Sequence, residues 1–217
     1  MFKKILILAF AFIASMQLLN AQLITANPPF PIDQDQVVIT FNSSLGSGGL
    51  AGYNGAMYAH TGVITENSAS GSDWKYVKAD WNQNIPECQM SKVGADLWQL
   101  TIGPSIRDYY GVPEGEKIEQ LAFVFRSADG SQTGKTESGG DIFYDVYESG
   151  INVIITLPEE ETMIVELNDI IHVEGSSSDA DTTYLYKNDE LVYTSVTSEF
   201  EYNLVVDEAG TGVFTAK

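Results

Sequence analysis

From Val37 onward the apolar residues arrive in short alternating runs separated by turn formers, and this spacing points the chain to an all-β fold. The runs are Val37 to Phe41, Ala56 to Ile64, Trp74 to Trp81, Leu97 to Ile102, Ile118 to Arg126 and Ile142 to Tyr147. Gly, Pro, Asn and Asp fill the gaps, as in Gly46 to Gly55 and Asp129-Gly130, and each run can bury one face. LWQLTI and LAFVFR should place Trp98, Phe123 and Phe125 in a core. One short helix is expected over Ser105 to Tyr110, started by Pro104 and stopped by Gly111. Strands at this spacing make an antiparallel β-sandwich, and residues 22–150 are the right size for one.

A second module is expected over residues 151–217. Its strand-like runs are Ile151 to Leu157, Met163 to Glu166, Ile170 to Val173, Tyr184 to Lys187, Glu190 to Tyr193, Phe200 to Val205 and Gly212 to Lys217. Lys187-Asn188-Asp189-Glu190 reads as a hairpin turn between YLY and LVY. The module is small beside an immunoglobulin-like domain of ~100 residues, so it reads as incomplete. The fold class is therefore two consecutive antiparallel β-sandwich, immunoglobulin-like modules, the second truncated.

Residues 1–21 have the order of a secretory signal peptide: Lys3 and Lys4, an apolar run from Ile5 to Ala14, then a small residue before Gln22. The expected setting is secreted or cell-surface, with no membrane insertion after the signal is removed. Without Lys3 and Lys4 the chain keeps 11 − 2 = 9 basic residues against 30 acidic ones, a formal charge of −21. Such a surface repels phosphate backbones and anionic lipids, so nucleic acid is not an expected partner. Cys88 is the single cysteine. It allows no internal disulfide and no thiolate cluster, and it is expected to be buried.

All three tryptophans, Trp74, Trp81 and Trp98, fall between Asp73 and Ile102. Read as a strand, Trp74 to Trp81 points Trp74, Tyr76 and Lys78 one way and Val77, Ala79 and Trp81 the other. Trp98 and Trp81 suit a core, while Trp74 suits core or surface equally. Flat rings edged by polar groups are also how proteins hold sugars, because pyranoses have apolar faces ringed by hydroxyls. Trp74 and Tyr76 are the expected platform, with Trp81 a third ring and Lys78 and Asp80 as hydrogen-bonding neighbours.

Motifs for other chemistry fail. Gly46-Ser47-Gly48-Gly49-Leu50-Ala51 matches a dinucleotide pattern, but Gly52, Asn54 and Gly55 follow where a helix is needed. Asp179, Asp181 and Glu190 mimic an EF-hand, yet Tyr184 stands at the required glycine. Asp129, Asp141 and Asp145 would suit calcium if loops gathered them, but no fixed spacing supports it. The expectation is no metal and no cofactor. His60 and His172 lie too far apart in sequence to flag a site beside Cys88, and no catalytic residues are found.

DWKYVKADW, CQMSKVGADLWQLTIGPSIRDYYGVP and IEQLAFVFRSADGSQTGK together resemble the N-terminal β-sandwich of secreted α-amylase-family glycoside hydrolases from Gram-negative polysaccharide degraders. The resemblance covers residues 23–150, and the second module is similar to the immunoglobulin-like spacer that follows in such enzymes. Similar sandwiches occur in outer-membrane starch-binding lipoproteins, which carry a cysteine after the signal where this chain has none. The resemblance implies a non-catalytic accessory region, with starch or maltooligosaccharide and a downstream catalytic domain of the same chain as partners. The family's catalytic carboxylates belong to a barrel outside these residues. The alternative is a purely structural pair of modules from a cell-surface adhesion or scaffold protein. An enzyme active within these residues stands third.

Overall fold

The computed structural model describes residues 22–158 and 162–217, and the expected signal peptide at 1–21 lies outside them. The described chain is all-β, built from antiparallel sheets. Eight strands come first: β1 (Ile24–Asn27), β2 (Val37–Asn42), β3 (Met57–Thr65), β4 (Ser91–Gly94), β5 (Leu97–Ile102), β6 (Ile118–Ser127), β7 (Thr133–Gly134) and β8 (Ile142–Asp145). They form one sheet in the order β1-β2-β5-β4 and a second in which β6 pairs with β3 on one side and with β7 and β8 on the other.

The alternation explains how the two sheets meet. Val37, Ile39 and Phe41 of β2 with Trp98, Leu100 and Ile102 of β5 turn inward from the first sheet. Met57, Ala59 and Val63 of β3 with Leu121, Phe123 and Phe125 of β6 answer from the second. Trp98 is only 3% exposed, and Phe123 and Phe125 are fully buried, as the alternation requires. Phe41 stacks on Phe125 at 4.1 Å across the sheets. Burying each such ring contributes roughly 1.5–3 kcal/mol, and a well-placed ring pair adds about 0.5–1.5 kcal/mol. The expected helix is α1 (Ile106–Tyr110). The Ser105 hydroxyl caps it by accepting from the Asp108 amide, and Gly111, at φ 73°, ends it in the left-handed region.

Six further strands follow: β9 (Asn152–Leu157), β10 (Ile170–Ser178), β11 (Thr183–Lys187), β12 (Glu190–Ser195), β13 (Glu199–Val205) and β14 (Phe214–Ala216). They form two three-stranded sheets, β13-β10-β9 and β12-β11-β14. Val173, Leu185 and Phe200 are buried between them. The hairpin turn is where the sequence puts it: Asn188 and Asp189 take φ 50° and 66°, the conformation that a two-residue turn needs and that Asn and Asp tolerate.

Two expected strands are absent. Met163 to Glu166 has no strand pairing. Trp74 to Trp81 is a bent segment with a single bridge, Lys75 to Val63, and Tyr76 at φ 48° breaks any extended run. The alternation of that segment is real in sequence, but its side chains find partners in different places, and no second strand pairs with it. Strands β1, β4 and β7 were not expected, because ITAN, SKVG and the two-residue TG carry no apolar alternation.

Candidate functional site

The long crossover between β3 and β4, residues 66–90, folds back over the outer face of the second sheet. Backbone bonds fasten it there. Lys75 and Val63 exchange amide-to-carbonyl bonds at 2.8 and 3.0 Å, and the Lys78 amide donates to the Thr61 carbonyl at 2.9 Å. Gly62 makes this approach possible. A Cβ there would stand 2.9 Å from the Lys75 carbonyl oxygen and 3.1 Å from Val77 Cγ2.

The far end of the crossover is pinned by Arg126, 2% exposed on β6. Its guanidinium donates to the Gln83 carbonyl and to Asn84 Oδ1, each at 2.8 Å. It also lies 5.5 Å from the Tyr58 ring and 5.8 Å from the Trp81 ring.

The residues of the expected platform part company in this arrangement. Tyr76 packs against the main core, and its hydroxyl donates to Glu116 Oε2 at 2.6 Å. Lys78 lies 4.5 Å over the Tyr109 ring and donates to the Tyr109 carbonyl at 2.6 Å. Asp80 is exposed. Trp74 and Trp81 instead come together, half-exposed, around a residue that the platform expected from sequence does not include, His60. That residue points outward from β3 opposite Val124. The signal for it was the alternation in MYAHTGVIT, where Tyr58 and His60 occupy the face away from the core.

The geometry of the three rings is definite. The imidazole stacks on Trp74 with centroids 5.6 Å apart and planes 26° apart, and meets Trp81 edge-on at 5.1 Å and 72°. The two indole planes therefore differ by at least 72 − 26 = 46°. Phe143 of β8 supports Trp74 from the side at 6.5 Å, and the Trp74 ring nitrogen donates to the Gly71 carbonyl at 3.1 Å.

These rings line an open hollow of about 440 Å³ with Val77 and Val124 as its other apolar walls. Ser72, Asp73, Lys135 and Asp141 form a polar rim. Two ion pairs order the charges: Lys75 with Asp73 at 2.9 Å and Lys135 with Asp141 at 3.3 Å. The glycine loop after β2 helps to place Lys135, whose carbonyl accepts from the Ser47 amide at 3.0 Å. An added Cβ at Gly46 would collide with that carbonyl.

Burial holds the His60 imidazole below its ordinary value, and the Arg126 guanidinium acts in the same direction. The backbone of Ala79 and the carboxylates of Asp141 and Asp80 oppose this by less. His60 is thus a neutral ring at neutral pH, suited to stacking. The Asp73 carboxyl is held below its usual range, first by the Ala69 amide and then by Lys75.

The three aspartates considered for calcium serve separate ends. Asp129 accepts from Ser127 and Ser131, which bring its carboxyl to about 2. Asp141 pairs with Lys135, and Asp145 accepts from Gln120. Among the described residues no group of three or more His, Cys, Asp or Glu is placed to hold a metal ion, and no helix is long and apolar enough to cross a membrane. Cys88 is buried beneath the Tyr109 hydroxyl, with its thiol pushed up by burial. In comparisons with known proteins, the chain matches no family model and no curated protein sequence.

Proposed function

We propose that this chain is a non-catalytic accessory region of a secreted α-amylase-type glycoside hydrolase and that the hollow around His60 binds α-glucan. The observation that carries the glucan reading is the tilt of at least 46° between Trp74 and Trp81 on the shared imidazole. A flat β-1,4-linked ribbon cannot lie face-on against two rings so inclined. A curved α-1,4-linked chain can, presenting successive sugar faces as it turns. The rim supplies the polar complement, since Ser72, Asp73, Lys135 and Asp141 are donors and acceptors set around an apolar floor. Trp74 and Trp81 replace Trp74 and Tyr76 as the ring pair, because Tyr76 is engaged by the core and by Glu116.

Binding to such an open site is weak, as two half-exposed rings bury little ligand surface. Affinity electrophoresis suits it. The full chain should be retarded in a native gel containing soluble starch and not in one containing hydroxyethyl cellulose. Trp74→Ala should abolish the retardation with little change in melting temperature, while Tyr76→Phe should keep it. Absence of retardation in the unmodified protein would leave the rings a purely structural role, in a spacer or a cell-surface scaffold.

A further inference from the structure

We propose that His60 is the positioning residue of this hollow: its uncharged imidazole sets the placement of Trp74 and Trp81, and taking up a proton there switches glycan binding off. The inference rests on the glucan reading and names the regulation of the same site. The geometry leaves the imidazole as the common neighbour of the two indoles, flat against one and edge-on to the other. The Trp74–Trp81 pair is joined through His60: their centroids can be no more than 5.6 + 5.1 = 10.7 Å apart because both contact it. The ring is rooted on β3, in the middle of its longest pairing, so it cannot drift with the crossover above it.

Charged groups face this imidazole from every element around it. Arg126 comes from β6, Lys135 follows β7, Asp141 precedes β8, and Asp73 and Asp80 belong to the crossover. Lys135 and Asp141 neutralise one another, as do Lys75 and Asp73. Arg126 has its hydrogen bonds with carbonyl groups and a side-chain amide, so its charge is not cancelled by an acid in contact. A proton on His60 therefore adds a second cation beside a buried first. A sugar lying in the hollow would strip water from the imidazole and raise that cost further. By linkage, ligand binding then expels a proton, and protons expel the ligand. Cation–π attraction to Trp74 works against this, while burial and then Arg126 lead the influences that disfavour the charged imidazole, ahead of the Ala79 backbone and the carboxylates of Asp141 and Asp80.

The test uses the full chain and maltoheptaose, followed by titration calorimetry at pH 7.5 and 5.0. One unit of displacement in a linked proton equilibrium caps the change in affinity at tenfold, so the dissociation constant of the unmodified protein should rise from pH 7.5 to 5.0 by a factor of up to about ten. His60→Phe keeps a flat ring that cannot be charged, and its affinity should be the same at both pH values. His60→Ala, which removes the spacer, should bind at least tenfold more weakly at pH 7.5. Equal binding of the unmodified protein at both pH values would overturn the proposal while leaving the glucan reading intact. So would a pH dependence that survives in His60→Phe when that variant binds. No binding of maltoheptaose at pH 7.5 would remove the glucan reading and this inference with it. Should His60→Phe fail to fold, calorimetry of the unmodified protein at pH 6 in two buffers of different ionisation enthalpy decides the matter. A released proton supports the switch, and none refutes it.

Discussion

Replacing Gly62 with Ala tests whether the crossover is truly clamped onto the sheet. The new methyl group would stand 2.9 Å from the Lys75 carbonyl oxygen, 3.1 Å from Val77 Cγ2 and 3.3 Å from Val77 Cα. Two of these neighbours are backbone, so rotation of a side chain gives no relief. The segment must lift by several tenths of an ångström, straining the Lys75–Val63 pair and the Lys78-to-Thr61 bond at the same time. Overpacking of a tight site costs about 1–3 kcal/mol. For a chain of this size each kcal/mol lowers the melting temperature by about 2–4 °C, which gives a fall of roughly 2–12 °C. Thermal unfolding followed by near-ultraviolet circular dichroism would read this, since Trp74 and Trp81 are chiral reporters of the segment. Retardation by starch should weaken too, because the rings ride on the displaced backbone. A variant that melts within 1 °C of the parent with an unchanged aromatic spectrum would refute the clamp.

Other consequences follow from the same contacts. Glu116 accepts from Thr65 and Tyr76, which hold its carboxyl below the usual range, Thr65 first. Its contribution is therefore complete above about pH 4.5 and lost as acid is added below that, so Glu116→Gln should flatten the acid limb of a stability profile. His172 shows the opposite sign. Asn203, then Glu174, raise its imidazole, so its contribution is full below about pH 6.5 and fades as pH rises through the higher folded value, a trend that His172→Gln should remove from the melting of residues 151–217. Lys78→Met removes the ammonium from over the Tyr109 ring and strands the Tyr109 carbonyl, and should cost about 1–3 kcal/mol in urea unfolding. Cys88 should be silent to a thiol reagent at pH 8 in the native protein and react fully in denaturant. Prompt native reaction would contradict its burial.

What the sequence made legible divides along a physical line. Strands β3 and β5 were visible because apolar residues recur at every second position against one large core, and β2 and β6 because VVITF and LAFVF are short apolar runs rich in β-branched and aromatic residues between turn formers. Helix α1 was visible because its cap and stop, Ser105 and Gly111, are local signals. The crossover alternates just as well in WKYVKADW, yet its side chains are satisfied by Glu116, Tyr109, His60 and Arg126, which come from four other places in the chain. No local pattern encodes that. The sequence pairs Trp74 with Tyr76, whereas the fold sets the partly buried Trp74 beside Trp81, brought round by the bend at Tyr76. The strands β1, β4 and β7 escaped because they are short edge segments, ITAN, SKVG and TG, without apolar alternation.

The placement of the hollow also bears on why rings should be there at all. The three groups that wall the hollow from the crossover stand outside the main core: Trp74, Trp81 and Val77 are not among the residues of the principal cluster, whereas Met90 belongs to it and Tyr76 is packed against it. A cover for the outer face of β3 and β6 needs only apolar contact over Val124 and Ala122, which aliphatic side chains give without leaving indole faces half open to water. The sheet supplies a rigid floor in His60 and Val124, and the crossover supplies reach, so rigid and adaptable parts are divided as binding sites on loops above a scaffold require. Arg126 links the two, anchoring Gln83 and Asn84 of the crossover while lying beneath Trp81. Removing the rings but keeping Arg126 would separate the two roles. A fold that stands unchanged without Trp74 has kept that ring for something other than its own stability.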